Sequence, residues 1–400
     1  MVRGRLPRGI HAEVTRAEKQ RIAITTGGGD APGLNAVVRA VAVSSHWRGW
    51  EVLGIKHGYR GLIEPGSDGV VALDRNAVRG ITHLGGSILG STNRGDPFNY
   101  PVKAGEKVVP ADVSDRVIER ARELGISAFV AVGGDGSVRI AARLLAKGLP
   151  RVIAVPKTID NDLVGTDQTF GFDTAVDTAS EALGKLHSTA QAHERVMVVE
   201  VMGRYAGWIA LHAGIAGGAD VILIPEIPFS IESICEKIRR REARGRPFAI
   251  VVAAEGARPQ NGERVVLQAD DHFHEPRLGG IAELVAGGIT ERTGKETRTL
   301  VLGHLQRGGG PVMTDRLLAL RMGCAATRFL AEGEPGRSGM VSLRCGELSL
   351  VPLEEAIHGL RTVPLDSTLL QTGRDLGLCF GDEPRGYFTP DAPGGPGSAD

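Results

Sequence analysis

Arg151-Val-Ile-Ala-Val155 is an unbroken apolar run, and Pro156-Lys157-Thr158-Ile159-Asp160-Asn161-Asp162 follows it without a spacer. The run reads as a strand buried on both faces. An ammonium, a hydroxyl, two carboxylates and an amide then crowd into positions 157–162. A solvated loop could hold them, but polar groups issuing directly from a core strand more often face a cleft.

The same pattern recurs on either side. Upstream, Ser127-Ala-Phe-Val-Ala-Val132 is a second apolar strand, ending in Gly133-Gly134-Asp135-Gly136-Ser137. Val138, Ala141, Ala142 and Leu145 then mark a helix face. Earlier still, Arg21-Ile-Ala-Ile-Thr25 is followed by the glycine loop Thr26–Gly33 and a helix with Leu34, Val37, Val38 and Val41 on one side. Strand, glycine loop and helix together bring backbone N–H groups and a helix N-terminus to bear on an anion. The Walker A pattern GxxxxGK[ST] occurs nowhere, and the loop is not GxGxxG, because Pro32 holds the place of the third glycine. The bland readings are a tight turn whose glycines serve geometry alone and, at 133–137, a turn with Ser137 as helix N-cap.

Downstream, a helix is expected over Asp173–Gln191, then strands over Arg195–Val201, Asp220–Ile224, Phe248–Ala254 and Thr297–Leu302. A helix bearing Ile231, Ile234, Cys235 and Ile238 should be capped by Ser230. Polar clusters follow these strands too: Met202-Gly203-Arg204, Glu255-Gly256, and Gly303-His304-Leu-Gln306-Arg307. Residues 50–110 are less regular, and Gly58-Tyr59-Arg60-Gly61-Leu62 and Gly85–Arg94 read as loops. The alternation predicts an α/β fold of two doubly wound parallel-sheet (Rossmann-like) domains, with the active site in the cleft between them. The expected division is 21–171 plus 306–356 for one domain, and 172–305 plus 357–388 for the other. Tails are expected at 1–20 and 389–400.

Composition narrows the function classes. The 47 Lys and Arg balance 47 Asp and Glu, so no overall field favours nucleic acid or an anionic membrane. Four scattered cysteines without CxxC argue against a disulfide framework or zinc site and fit a reducing cytoplasm. No secretory h-region and no membrane-length apolar run is present. Asp270-Asp271-His272-Phe-His274-Glu275 resembles a metal cluster but reads better as a solvated loop.

Taken together, GGGDAPGLNAVVRAV, GYRGL, GGDGS, PKTIDND, EVMGR, AAEG and ETRTLVLGHLQRGG resemble, in order and spacing, the phosphofructokinases. The resemblance runs from about Ile22 to beyond Leu330. It implies transfer of a terminal phosphoryl group to the 1-hydroxyl of fructose 6-phosphate. By that resemblance Asp160 is the general base, Arg204 steadies the transferring group, and Thr158 contacts the sugar or that group. Met202, Gly203, Glu255, His304 and Arg307 bind the sugar phosphate. Gly28, Gly29, Tyr59, Arg94, Gly134, Asp135, Gly136, Ser137 and Lys157 surround the donor. Asp135 and Asp162 hold Mg²⁺, and a carboxylate between Lys157 and that ion is expected to stay ionised. Arg195 and Arg298 match arginines that reach a neighbouring subunit's site, which implies a homodimer or homotetramer. Arg39, Arg75, Arg244 and Arg246 match cationic positions of the family's effector site, but Val43 and His187 stand where further arginines would be.

The donor is legible in part. Relatives that use pyrophosphate carry Asp where Gly136 stands, and that carboxylate would fill and repel the α-phosphate site. Gly136 therefore points to ATP. Lys157 is shared with pyrophosphate users, so a reversible pyrophosphate-dependent enzyme is the alternative. A kinase of NAD or a lipid would leave PKTIDND and HLQRGG without a job. A non-catalytic nucleotide sensor would be expected to have lost a carboxylate, yet Asp135, Asp160 and Asp162 are all present.

Overall fold

The computed structural model describes residues 20–64, 66–92, 94–105, 107–268, 277–334 and 336–383. The expected tails (save Gln20) and the Asp270–Glu275 stretch lie outside the described residues.

Chain order runs β1 (Arg21–Thr26), α1 (Leu34–His46), β2 (Glu51–Ile55), α2 (Arg60–Ile63), β3 (Val70–Ala72), β4 (Tyr100–Ala104), β5 (Lys107–Ala111), α3 (Ser114–Glu123), β6 (Ala128–Gly133), α4 (Asp135–Ala146) and β7 (Val152–Pro156). It continues with α5 (Phe172–His193), β8 (Val196–Val201), α6 (Trp208–Ala216), β9 (Val221–Leu223), α7 (Ile231–Ala243), β10 (Ala249–Ala254), β11 (Val266–Gln268), β12 (Arg277–Leu278), α8 (Ile281–Thr293) and β13 (Thr297–Val301). The last elements are α9 (Met313–Glu332), β14 (Gly339–Arg344), β15 (Glu347–Val351), α10 (Leu353–Ala356) and α11 (Thr368–Asp375).

Two main sheets result. The first has the order β15-β14-β7-β6-β1-β2-β3, and the second β13-β8-β10-β9. From β1 the chain goes to β2 on one side and later to β6 on the other. The switch point therefore lies between β1 and β6, where an open α/β sheet forms its ligand crevice. The glycine loops after β1 and β6 flank it.

The apolar runs become strands for a simple reason: helices cover both faces of each sheet. Ile22, Ile24, Val130 and Val155 pack with α1 and α9 on one face, while Ala23, Phe129, Ala131 and Val152 pack with α2, α3 and α4 on the other. In the second sheet, Val199, Val201, Ile250 and Val252 meet α5, α6 and α11, and Val198, Val221 and Val251 meet α7 and α8.

Two expectations need correction, and one bland reading falls. The first sheet is not wholly parallel, because β3 runs antiparallel to β2 and β15 to β14. The β14–β15 turn is Cys345-Gly346, both with positive φ (49° and 84°), the geometry a two-residue hairpin needs. The loop expected at Gly58–Leu62 closes into the single helical turn α2, with Leu62 and Ile63 buried, too short for periodicity to register. Finally, helix α4 begins at Asp135 with Gly134 at its N-cap, so Ser137 is inside the first turn and caps nothing. Ser230 does occupy the N-cap of α7, but without a side-chain capping bond.

One contact ties the two cores. Asp315, from α9, accepts hydrogen bonds at Oδ2 from Thr174 N (2.7 Å) and Thr174 Oγ1 (2.6 Å), which caps α5 from outside. Its Oδ1 is buried without a partner. Burial pushes this carboxyl up to about 6 from its ordinary 3.8, against the pull of Thr174. A folded-state pKa above the unfolded one contributes stability that is present below pH 3.8 and lost as pH rises through about 6. Thermal melts from pH 5 to 8 should therefore show Asp315→Asn gaining on the wild type by roughly 1–3 kcal/mol. A constant difference across that range would mean the carboxyl does not titrate there.

Candidate active site

A cleft of about 880 Å³ opens where the ends of β1, β6, β7 and the second sheet converge. It is lined by Gly28, Gly29, Tyr59, Arg94, Gly134, Asp135, Gly136, Ser137, Lys157, Thr158, Asp160, Asp162, Met202, Arg204, His304 and Arg307. An adjoining hollow of about 400 Å³ shares Asp160, Asp162, Met202, Arg204, His304 and Arg307 and adds Glu255. Three expected positions are not in these walls. Gly203 lies behind Met202 with φ 139°. Arg298 lies on the edge strand β13 and Arg195 just before the adjoining β8, 2.5 Å and 2.8 Å from Glu296. Sequence reasoning missed Asp30, Thr92, Asp96, Glu200 and Tyr205, which also line the space. Glu200 lies within β8, in an otherwise apolar run. It is buried and accepts from Gly280 N and Ala282 N at 3.1 Å, fixing the start of α8.

The loops are held by backbone bonds between strand ends. Gly27 N donates to Val132 O (2.9 Å), Gly28 N to Thr92 O (3.2 Å) and Lys157 N to Gly133 O (3.0 Å). Arg307 donates to Asp30 O at 3.0 Å. It passes so close to Gly29 that a Cβ there would stand 2.9 Å from Nη1. A side chain at 29 would displace the guanidinium. Gly136 is the opposite case, since an added Cβ would meet nothing within 4 Å and its φ is ordinary. The N-terminal turn of α4 (Asp135, Gly136, Ser137) edges the cleft, so its N–H groups are available to an anion.

Asn161 makes the Asp160–Asp162 turn. Its φ is 52°, in the left-handed region that Asn tolerates better than most residues. Its Oδ1 accepts from Thr169 N at 3.0 Å. With the residue between them turned in, both flanking aspartates line the cleft. Asn161→Ala removes that acceptor and puts into αL a residue that tolerates it less well than asparagine, and should cost about 1–3 kcal/mol in urea unfolding. Asn161→Gly, free of the strain, should cost less. Equal losses would mean that strain plays no part.

The electrostatics are those of a crowded floor. Burial and the nearby Arg307 push Lys157 down to about 7, and its Nζ donates to Gly29 O. Burial raises Asp160, against the pull of Arg307, Lys157 and Arg204. Burial, with Asp160 beside it, pushes Asp162 up to about 7. Glu255 rises to about 7 through burial and the Asp160 charge. At Asp160 desolvation is the largest influence, and the three cations oppose it.

Among the described residues no group of three or more His, Cys, Asp or Glu could hold a metal alone. The donor set fits Mg²⁺ shared with phosphate oxygens, since that ion takes one or two carboxylates. Asp135 and Asp160 both raise the pKa of Asp162, so negative charge converges at this point. Asp135 is paired here with Arg139, Oδ2 to Nε at 2.9 Å. Of the arginines that match cationic effector positions by resemblance, Arg39 donates to Val78 O (2.9 Å) and Arg75 lies over Trp47. Where a further arginine would be, His187 Nε2 lies 2.8 Å from Gly217 O.

Known proteins carry the same plan. Residues 21–330 match the family model described as phosphofructokinase. The chain is similar to the ATP-dependent 6-phosphofructokinase of Chloroflexus aggregans, 50% identical over 367 residues, covering 92% of this chain and 99% of that protein. It is 47% identical over 369 residues to ATP-dependent 6-phosphofructokinase 1 of Synechocystis sp., with 92% and 99% covered. Among solved structures it resembles Pichia pastoris phosphofructokinase in the T-state (TM-score 0.72, 32% identity), covering 85% of this chain and 36% of that one. The fold is shared with a pyrophosphate-dependent phosphofructokinase of Marinobacter aquaeolei (TM-score 0.71, 24% identity), covering 93% and 91%. Motif order, fold and identity agree, and the chain belongs to the phosphofructokinase family.

Proposed function

We propose that the protein transfers the γ-phosphoryl group of ATP to the 1-hydroxyl of fructose 6-phosphate, giving fructose 1,6-bisphosphate and ADP. The observation that carries the reading is the junction of the two cavities. A Gly-rich wall ending in the N-terminus of α4 meets a sugar-side wall of Met202, Arg204, Glu255, His304 and Arg307, and Asp160 belongs to both. Half-identical relatives named as ATP-dependent enzymes support ATP as donor, as does the open space beside Gly136. Lys157, shared with pyrophosphate users, is 2% exposed and bonded to Gly29 O. It holds the glycine loop and says little about the donor.

In this reading Asp160 takes the proton of the 1-hydroxyl as the new O–P bond forms and the bridging bond to the β-phosphate breaks. Arg204 steadies the equatorial oxygens, and Thr158 orients the acceptor. Arg307, His304, Met202 and Gly203 seat the sugar phosphate, with Glu255 on a sugar hydroxyl. Gly28, Gly29, Tyr59, Arg94, Gly134, Gly136 and Ser137 cradle the nucleotide. Asp135 and Asp162 would hold Mg²⁺, which neutralises charge on the phosphoryl oxygens when bound.

The division into a donor domain (21–171, 306–356) and a sugar domain (172–305, 357–388) is supported by the two sheets. The placement of Arg298 on the edge strand β13 and of Arg195 just before the adjoining β8, both outside this chain's own cleft, supports a homodimer or homotetramer in which they complete a neighbour's site. A cytoplasmic setting is in keeping with four free cysteines and with no helix among the described residues able to cross a membrane.

The test is fructose 1,6-bisphosphate formation from fructose 6-phosphate and Mg²⁺, with ATP or with pyrophosphate. Turnover with ATP is expected. Turnover with pyrophosphate alone overturns the donor assignment, and turnover with neither overturns the reaction.

A further inference from the structure

The short stretch after α10 does something its sequence does not advertise. Leu360 lines the sugar side of the site, and Arg361 crosses behind the Asp160–Asp162 turn. Arg361 N donates to Asp162 O at 2.8 Å. Its Nη1 donates to Asn161 O at 3.0 Å. The guanidinium lies 4.3 Å from the ring centroid of Trp208, and Trp208 Nε1 donates back to Arg361 O at 2.9 Å. Trp208 begins α6 and belongs to the second sheet's core. Two residues on, Val363 N donates to Glu226 Oε1 at 2.8 Å, and Glu226 also accepts from Gly207 N just before α6. The strap is thus anchored in the second core, while its guanidinium grips a turn that issues from the first sheet.

We propose that Arg361 is a positioning residue for the phosphoryl transfer, one that sets the orientation of the Asp160–Asp162 turn without touching substrate. Asn161 is buried and left-handed, and among the described residues its side chain is fixed from the Thr169 side. Its carbonyl is fixed from the opposite side by Arg361. With its carbonyl and its side chain both held, rotation of the Asn161–Asp162 peptide is opposed, and the two carboxylates keep their places in the cleft. Without the guanidinium the carbonyl loses its partner, and the turn can relax around Asn161. Trp208 supplies the platform that keeps the guanidinium flat and aimed. Lysine can supply a donor but neither the fork nor the stacking surface.

This inference rests on the proposed reaction, and the test separates the two. Wild type, Arg361→Ala and Arg361→Lys are assayed together for kcat and for KM of ATP and fructose 6-phosphate, each variant checked by its thermal melt. A wild type that makes no fructose 1,6-bisphosphate overturns the reaction, and the positioning role with it. With an active wild type, the expected result is a kcat lowered by about 10–100-fold in Arg361→Ala, the cost of displacing a reacting group by a fraction of an ångström to one ångström. Both KM values should stay within about threefold of wild type. Millimolar guanidinium chloride should restore part of that kcat and leave wild type unaffected. Arg361→Lys, which retains charge and bulk and is the variant to rely on should the alanine variant not fold, should lie between the two. A folded Arg361→Lys with wild-type kcat overturns the proposal. So does an alanine variant whose activity merely follows its folded fraction and ignores guanidinium.

Discussion

Asp160→Asn is expected to lower kcat by about 10²–10⁴-fold, the usual cost of removing a general base. The substitution keeps the shape of the side chain and removes its capacity to take a proton. Arg307, Lys157 and Arg204 all act on Asp160, so neutralising it leaves three cations with one fewer counter-charge. Anionic substrates should not be repelled by that change. Fructose 6-phosphate should therefore bind about as tightly as before in a calorimetric titration, while turnover collapses. If kcat stays near wild type, proton transfer does not pass through Asp160, and the reading of the turn fails at its centre.

The second large effect concerns the donor. Gly136→Asp should reduce kcat/KM for ATP by about 10- to 10³-fold. The position is open, so a side chain enters the cleft without a clash. Two like charges about 4 Å apart repel by about 1–4 kcal/mol at the effective dielectric of a protein surface or of water, and each 1.4 kcal/mol is roughly tenfold. Folding should not suffer, since an acidic residue in the first turn of a helix is favoured by the helix dipole. Gly136→Ala is the control, because a methyl group adds bulk without charge and should cost far less. An aspartate variant with unchanged kcat/KM for ATP would place the nucleotide phosphates elsewhere.

How far the sequence carries the fold depends on how a residue's job is performed. Strands β1, β6, β7, β8 and β10 are buried on both faces, so each is a continuous apolar run that can be seen without its neighbours. The polar groups after them are legible for the same reason, because they end abruptly against carbon. Strands β4 and β5 are mostly exposed and mix Lys, Pro and Ala with Val, so no period emerges. The antiparallel β15 hangs on a Cys-Gly turn that lacks the usual Asn-Gly or Asp-Gly signal. Glu200 was hidden inside an apolar strand, and its role appears only when α8 starts beside it. Arg361 is the extreme case. Its partner is a backbone carbonyl, which has no residue identity to recognise, and it lies 200 positions away in the chain.

The first sheet is completed from far downstream. Val152 N donates to Ser338 Oγ, 186 residues away, where β14 and β15 add the last two strands. All four strands of the second sheet lie between residues 196 and 301. A growing chain thus emits most of its first sheet early but must keep the edge of β7 unpaired until residue 339 emerges. The second sheet has all its strands before then. Order of synthesis and order of completion run opposite ways, and the exposed edge of β7 is the surface a nascent chain must protect in the interval.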